Sequence, residues 1–235
     1  SFPDPHEPWI APKYYTDMFP ADKIQLPPQR DNEFLDGTAP ERNIVLHDIL
    51  NWRKDRIEDV YGVMGAYYAM VRFVDDGLGQ ILDSLEKNNL RENTIVVFCS
   101  DHGDFMGEHG MTCKGGVFYD CLTRVPLIFS WPGRISSNIR QDSMVNLIDV
   151  VPTILELQGI DKPRLMQGDL LSTVTKGTEK KYTFSEYGCG GPMFSRSDLQ
   201  KLSKPWGRKA LMKSLQWREA EGRRKMVRTK DWKFI

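Results

Sequence analysis

The sequence has no excess of charge of either sign, since Lys+Arg and Asp+Glu each number 32 and the formal net charge is zero. This balance gives no electrostatic argument for binding nucleic acid or an anionic membrane surface. The sequence also lacks any run of about 18 apolar residues, so we expect no membrane-spanning helix. Its opening residues, SFPDPHEPW, have neither the basic start nor the apolar segment of a signal peptide. We therefore predict no nucleic-acid partner and no membrane partner.

Cysteine is scarce and shows no metal-binding spacing. The four cysteines include no C-x-x-C pair, which argues against a zinc site. Cys113 and Cys121 can bridge if their backbones approach closely, but two buried thiols are at least as well supported. The cellular compartment therefore stays open on this evidence.

The composition that remains is that of a folded protein. With 235 residues, 40% hydrophobic and 27% charged, the chain can bury a core in one or two domains and is not disordered throughout. Both ends look cut. There is no initiator Met, and the closing KMVRTKDWKFI predicts a strand, a turn at 229–231 and the start of a second strand. We therefore expect a fragment of a longer protein.

Hydrophobic periodicity predicts one long helix and two short apolar strands. From Val60 apolar residues recur at three- and four-residue steps, and the helix is expected to end near Asn88–Asn89. The continuous apolar runs at 94–99 and 125–130 predict strands that are covered on both faces. Helices alternating with such strands indicate an α/β layered fold. A loop-to-helix transition at 146–157 and a strand at 182–186 are also predicted.

The pentapeptide Ser100–Asp104, SDHGD, directly follows the first predicted strand. In open α/β sheets, ligands bind beyond the carboxyl ends of the strands. A carboxylate at Asp101 beside an imidazole at His102 suits a calcium, magnesium or manganese ion. The alternative is an aspartate that caps a turn, with His102 hydrogen-bonded nearby. Both interpretations stay open at this point.

Two further segments carry groups suited to chemistry. Prolines on both sides of His6 and Glu7 stiffen the backbone and can aim the imidazole, which is a natural general acid near neutral pH. Lys114, followed by Gly115–Gly116, can reach into a pocket and hold an anionic oxygen. Taken alone, each of these residues is better explained as an ordinary solvated loop residue.

Other conspicuous groups are better explained by structure. Asp75 and Asp76 are adjacent, and neighbouring positions on a helix point about 100° apart, so a solvated or capping role is expected. Met64 and Tyr67 are assigned to the helix core. The basic stretch at 208–225 fits either an anionic glycan or a solvated helix.

Taken in order, the segments resemble the sulfatase family of the alkaline-phosphatase-like superfamily. The resemblance lies in SFPDPHEPW, VDDGLGQILDSLE, NTIVVFCSDHGDFMGEHG, CKGGVFYDCLTRVPLIFSWPG and NLIDVVPTILELQGI, and it is weak only at 190–222. It implies an α/β fold with a layered sheet and helices on both faces. Residues 1–222 would be the C-terminal part of the catalytic domain. Residues 223–235 would begin a small antiparallel C-terminal subdomain.

The resemblance also implies an activity and its cofactors. Such enzymes hydrolyse a sulfate ester to an alcohol and sulfate with the help of a divalent cation. That cation is usually calcium, and magnesium and manganese are the alternatives. Their nucleophile is a formylglycine made in a C/S-x-P-x-R motif, and none of the four cysteines of this sequence is followed by x-Pro-x-Arg. We expect that motif, and two further metal-binding aspartates, in a missing upstream segment. The chain alone is therefore expected to be inactive. A periplasmic, lysosomal or secreted location is favoured by the resemblance alone.

Residue roles follow from the same resemblance. Asp101 and His102 would be metal ligands, although many family members have Asn at the second of these positions. His6 would contact the sulfate ester and help to protonate the leaving oxygen. Lys114 would neutralise charge on the transferring group, an effect that strengthens as charge develops. His109, on the adjoining loop, is assigned a structural role or a place at the substrate rim.

Two alternatives to a sulfatase remain at this point. A phosphonate monoester or phosphodiester hydrolase of the same superfamily would handle a similar tetrahedral anion. A non-catalytic domain that binds sulfated glycans would fit the lack of a cysteine followed by x-Pro-x-Arg. In each case the substrate or ligand is a sulfated or similarly anionic small molecule or glycan. A homodimer is predicted to cover exposed sheet edges and apolar helix faces.

Overall fold

The fold is described from a computed structural model over residues 1–51, 57–188 and 223–235. Within these residues, helices and short strands alternate along the chain. The helices are α1 Lys13–Thr16, α2 Glu41–Leu50, α3 Ile57–Lys87, α4 Asp120–Thr123 and α5 Val150–Leu157. The strands are β1 Val96–Cys99, β2 Phe105–Met106, β3 Thr112–Cys113, β4 Leu127–Ser130, β5 Tyr182–Tyr187, β6 Arg224–Thr229 and β7 Lys233–Phe234.

The long helix α3 confirms the prediction from periodicity. Val60 and Met64, one helical turn apart, are both buried on its inner face. The helix ends before Asn88–Asn89, where the second asparagine adopts a left-handed conformation with φ of 54°. No described helix, α3 included, is both long enough and apolar enough to cross a membrane.

Strands β1 and β4 form an antiparallel pair, with Val96 opposite Ser130 and Cys99 opposite Leu127. The prediction that both strands are covered on both faces is wrong for the described residues. Cys99 is exposed, and 57% of the surface of Ile128 is accessible to solvent. The reason is that the described part of the chain pairs these two strands only with each other, so part of their apolar surface has no second layer over it.

Two buried clusters form the core, and the β2–β3 hairpin belongs to both. Phe105 lies in the first cluster with side chains of α2, and Met106 lies in the second on α3. Because successive side chains of a strand point to opposite faces, two adjacent residues serve two clusters. The hairpin thereby joins α2 to α3. The first cluster contains Leu46, Leu50, Phe105, Met111, Val117 and Leu122, and the second contains Val60, Met64 and Met106.

The start of α5 is fixed by one buried carboxylate. Asp149 is 1% exposed and accepts hydrogen bonds from the backbone N–H of Asn146 at 3.0 Å and of Asp169 at 2.8 Å. Lys180 donates a third, at 2.7 Å. A buried carboxylate is tolerated when it is paired and hydrogen-bonded in this way. Asp149 therefore holds three separate segments to the N-terminal end of α5, which confirms the transition predicted at 146–157.

The last sheet has the order β5–β6–β7 and is antiparallel throughout. It confirms the predicted strand at 182–186 and the predicted strand–turn–strand at the end of the chain. Tyr182 pairs with Thr229, so this sheet joins residues from both sides of the boundary predicted between 222 and 223. That boundary stays a prediction, and the basic stretch at 208–225 lies almost wholly outside the described residues.

Replacing Phe105 with Ala is expected to lower the free energy of unfolding by about 3–5 kcal/mol, because a large cavity opens in the first cluster. Phe105 is 0% exposed, whereas Leu165 is 92% exposed and supplies the control. Leu165→Ala is expected to change the same quantity by less than about 0.5 kcal/mol. Urea unfolding followed by circular dichroism measures both. Equal losses for the two variants would contradict the assignment of this core.

Candidate active site

The loop beyond β1 is a compact turn built by its own side chains. The Ser100 hydroxyl donates to the carbonyl of His102 at 2.8 Å, and the backbone N–H of His102 donates to Asp101 Oδ1 at 3.0 Å. The Asp101 side chain is 86% exposed and that of His102 is 42% exposed. Asp101 therefore caps the turn with one oxygen and presents the other to solvent, so the capping role does not compete with ligand binding.

A glycine is required at position 103 for a steric reason. Its N–H donates to the carbonyl of Leu122 at 2.9 Å, and a Cβ at this position would lie 1.9 Å from the carbonyl oxygen of Cys121. No side chain fits that space. The close backbone contact holds the turn carrying Asp101 and His102 against the segment that leads into β4.

The side chains of Asp101 and His102 lie close together, as the prediction that both bind one divalent cation requires. Asp101 Oδ2 lies 3.7 Å from His102 Nε2, so the carboxylate and the imidazole can face a common ion. Among the described residues, no group of three or more His, Cys, Asp or Glu side chains is arranged to hold a metal. Since calcium takes about 6–8 oxygen ligands and an imidazole offers only nitrogen, Asp101 and His102 do not by themselves complete a calcium site. Their metal role stays a prediction.

Lys114 is brought to the same place. Its ammonium group lies 3.4 Å from Asp104 Oδ1, and both side chains are largely buried, 20% and 10% exposed. Lys114, Asp101 and His102 line one open groove with a volume of 2210 Å³. The sequence-predicted cation, carboxylate and imidazole thus share one surface, although Lys114 and Asp101 are thirteen positions apart.

His6 reaches the neighbourhood through the residue that follows it. Glu7 Oε2 accepts a hydrogen bond from the Cys113 thiol at 3.1 Å, and Cys113 is the direct neighbour of Lys114. The Nδ1 of His6 lies 2.7 Å from the carbonyl oxygen of Glu7. A carbonyl only accepts, so Nδ1 carries the proton and Nε2 is the nitrogen left for chemistry. His6 does not itself line the groove described above.

His109 lies in a different cluster, which the sequence reasoning missed. Its Nδ1 is 2.9 Å from Glu33, and its ring stands 4.0 Å from the ring of Tyr119. Burial and the charge of Glu33 raise the pKa of Tyr119 to about 12, and Asn43 donates to its hydroxyl at 3.0 Å. These contacts give His109 structural partners, and its place at a substrate rim stays a prediction. Glu33 is 76 positions away from His109 in the sequence, so only folding brings the two residues together.

The other conspicuous side chains of the sequence have structural surroundings of their own. Asp75 and Asp76 both pair with Arg72 on the surface of α3. Met64 is 1% exposed, which confirms its assignment to the helix core. Cys121 forms no disulfide within the described part of the chain, and burial raises the pKa of its thiol to about 12. The bridge to Cys113 that the sequence left open is therefore not formed.

The sequence as a whole matches a known family. A sequence model of the family described as Sulfatase matches residues 1–160, well over half of the chain. The chain belongs to the sulfatase family. The matched region contains every site residue predicted above, from His6 to Lys114. The resemblance given by the motifs is thereby confirmed.

Relatives of this sulfatase-family chain are longer proteins. The choline-sulfatase of Rhizobium meliloti is 33% identical over 162 residues, which cover 68% of this chain and 31% of that protein. The chain spans 31–38% of the length of three such curated relatives. The matches therefore concern part of each relative, and the activity of a whole protein remains a matter for proposal.

Solved structures show the fold of this sulfatase-family chain. The phosphonate monoester hydrolase of Silicibacter pomeroyi superposes with a TM-score of 0.70 at 22% identity, covering 96% of this chain and 44% of that one. A protein solved in complex with its substrate D-glucosamine-2-N,6-O-disulfate gives a TM-score of 0.67 at 20% identity, covering 98% and 54%. These likenesses confirm the predicted alkaline-phosphatase-like α/β fold. In this chain its described sheets are small and antiparallel.

Replacing Gly103 with Ala is expected to displace the Asp101–His102 turn, because the new methyl group meets a backbone carbonyl that cannot move aside. We expect a loss of about 1–3 kcal/mol in the free energy of unfolding, together with altered amide chemical shifts at 101–104. Gly79→Ala is the matched control, since it lies in α3 with nothing within 4 Å of the new Cβ. That variant is expected to be neutral or stabilising by up to about 1 kcal/mol. Unchanged shifts at 101–104 in Gly103→Ala would contradict the packing described here.

Proposed function

We propose that this chain supplies one side of the active site of a metal-dependent sulfuric ester hydrolase, which converts a sulfate ester and water to an alcohol and sulfate. One observation carries the proposal. In a chain of the sulfatase family, Asp101, His102 and Lys114 line one groove, and the loop of His6 contacts the residue next to Lys114. A paired carboxylate and imidazole beside a buried cation suits a tetrahedral anion held against a metal ion.

Each residue has a role that its chemistry allows. Lys114 holds an anionic oxygen and stabilises charge as it builds up on the transferring group. The His6 Nδ1–H donates to a carbonyl, so Nε2 is the nitrogen that can pass a proton to the leaving oxygen, and it does so in the imidazolium form, in which both ring nitrogens carry a proton. Asp101 and His102 would hold the divalent cation, calcium being the first choice with magnesium or manganese as alternatives. When bound, that cation would polarise an oxygen of the sulfate group.

The substrate we propose is a sulfated small molecule or a sulfated glycan. Support comes from the choline-sulfatase relative and from the neighbour solved with a disulfated glucosamine. The groove is open, and its volume of 2210 Å³ leaves room for part of a substrate beyond the sulfate group itself. Its lining carries charges of both signs, including Arg140 and Glu179, so selectivity would rest on individual contacts rather than on a single net charge.

The proposal includes a limit on the chain by itself. None of the four cysteines is followed by x-Pro-x-Arg. The stretch Ser130–Arg134, SWPGR, fits the serine form of the motif by its letters, but Ser130 ends β4, accepts a hydrogen bond from Arg91 and does not line the groove with Lys114. We propose that these residues alone do not turn over sulfate esters. They would act together with a nucleophile-bearing segment of the same catalytic domain.

A second candidate is the hydrolysis of phosphonate monoesters. The specific observation in its favour is the superposition on a phosphonate monoester hydrolase, which covers 96% of this chain. At 22% identity that likeness concerns the fold, and both substrates present a tetrahedral anion to the same kind of site. Sulfate remains the first choice because the family match and the curated relatives are sulfatases.

In the complete gene product that contains this chain, Lys114→Ala and His6→Ala are each expected to lower kcat for 4-nitrophenyl sulfate about 100-fold or more, because each removes a group aimed at the transition state. Lys13→Ala is the control, since Lys13 only pairs with exposed Asp17. Release of 4-nitrophenol in the presence of calcium gives the measurement. Parallel assays use 4-nitrophenyl phenylphosphonate.

The outcomes separate the candidates. Faster turnover of the phosphonate ester than of the sulfate ester would favour the second candidate. Binding of a sulfated glycan without turnover of either ester would indicate a non-catalytic domain. Release of sulfate by the isolated 235-residue chain would contradict the proposed limit.

A further inference from the structure

One contact joins the two loops that carry the proposed acid and the proposed cation. The thiol of Cys113 donates to Glu7 Oε2 at 3.1 Å, across 106 positions of sequence. Glu7 follows His6 directly, and Cys113 directly precedes Lys114. Neither Glu7 nor Cys113 has a part in the chemistry proposed above. Their contact therefore concerns how the loop of His6 is positioned relative to Lys114.

The Cys113 end of this contact is rigid. Cys113 is the last residue of β3 and pairs with Phe105, which is 0% exposed. Its side chain packs against the first core cluster, and its φ of 68° is rare for a residue with a Cβ. A left-handed residue within a hairpin persists when the surrounding packing determines it. The packed hairpin thus fixes the position of the Cys113 backbone from which the thiol extends.

The Glu7 end belongs to a loop that is held at its two sides by α3. The ring of Phe2 lies 3.2 Å from the place where a Cβ at Gly77 would stand. Trp9 packs against the second core cluster, which includes Met64 of the same helix. Between these points the His6 N–H donates to the carbonyl of Pro3 at 3.1 Å, and Glu7 contacts the hairpin through Cys113. The contact with Cys113 thus ties the middle of the loop to the hairpin.

Two neighbouring donors on the hairpin thus reach two different loops. Cys113 reaches the loop of His6 through Glu7, while Lys114 reaches the turn beyond β1 through Asp104 at 3.4 Å. A thiol is a weak donor, but a carboxylate acceptor strengthens the bond. The end of β3 therefore contacts both the loop of His6 and the segment beyond β1, and it relates the positions of these two loops.

We propose that Cys113 and Glu7 are positioning residues, whose thiol–carboxylate hydrogen bond sets the His6 imidazole relative to Lys114. The consequence for catalysis rests on the function proposed above, whereas the positioning itself does not. Removing the donor or the charged acceptor releases the middle of the loop and leaves the hairpin in place. A hydroxyl in place of the thiol keeps the donor and therefore keeps the position.

The positioning is tested on the 235-residue chain by amide hydrogen exchange at His6. Cys113→Ala and Glu7→Gln are expected to speed exchange of the His6 amide about tenfold, the effect of losing a bond of ordinary strength to a charged group. Cys113→Ser is expected to restore the wild-type rate. Cys99→Ala, at the exposed end of β1, is the matched cysteine control with unchanged exchange.

A second readout follows the site itself. Inorganic sulfate is titrated into the chain while NMR records the His6 imidazole and the Lys114 amide. In Cys113→Ala and Glu7→Gln the response of His6 is expected to weaken several-fold, while that of Lys114 persists. Cys113→Ser is expected to respond at both residues. A general loss of folding would move both signals together and would leave no such split.

The proposal is overturned if His6 exchange in Cys113→Ala and Glu7→Gln equals that of the wild type. It is also overturned if Cys113→Ser exchanges as fast as Cys113→Ala, since the donor would then be irrelevant. If Cys113→Ala fails to fold, Glu7→Gln decides, because its substitution lies outside the hairpin and the core. A wild-type chain with no sulfate response at either residue would count against the proposed function, while the exchange rates would still decide the positioning.

Discussion

Successive side chains of the short β2–β3 hairpin point to opposite faces, and this alternation organises the packing of both core clusters. Phe105 and Met106 are neighbours, yet they enter two different buried clusters because adjacent strand residues face opposite ways. The clusters belong to α2 and α3, so the hairpin fixes the distance between these helices. Its returning strand ends at Cys113, and Lys114 follows. Phe105 and Met106 of the core and Lys114 of the site therefore belong to one continuous segment of the chain.

The rest of the site depends on close backbone packing and on paired charges. The turn beyond β1 lies against the segment before β4 because position 103 has no Cβ. Lys114 is largely buried and stays compatible with the interior because Asp104 faces it. Asp101, by contrast, is almost fully exposed, and only one of its carboxylate oxygens accepts the hydrogen bond that caps the turn. The exposed carboxylate of Asp101 and the partly buried ammonium group of Lys114 thus lie along one groove, as the proposed metal ion and sulfate group require.

The sequence predicted the elements well and the contacts between them poorly. The periodicity of α3 and the apolar runs of β1 and β4 are local patterns, so their existence could be predicted within a few residues. The exposure of Ile128 could not, because burial depends on which layers cover a strand. Glu7 and Glu33 carried no local signal. Their partners lie 106 and 76 positions away, and only folding brings them together.

We propose that the turn beyond β1 and the end of the β2–β3 hairpin form one ion-binding surface. A titration of the chain with Mn²⁺, followed by NMR, tests this directly, because this paramagnetic ion broadens signals from nearby nuclei. We predict selective broadening at Gly103 and Lys114, extending to His6, and its loss in Asp101→Asn. Broadening confined to other acidic surface residues, or broadening that persists unchanged in Asp101→Asn, would rule out such a surface.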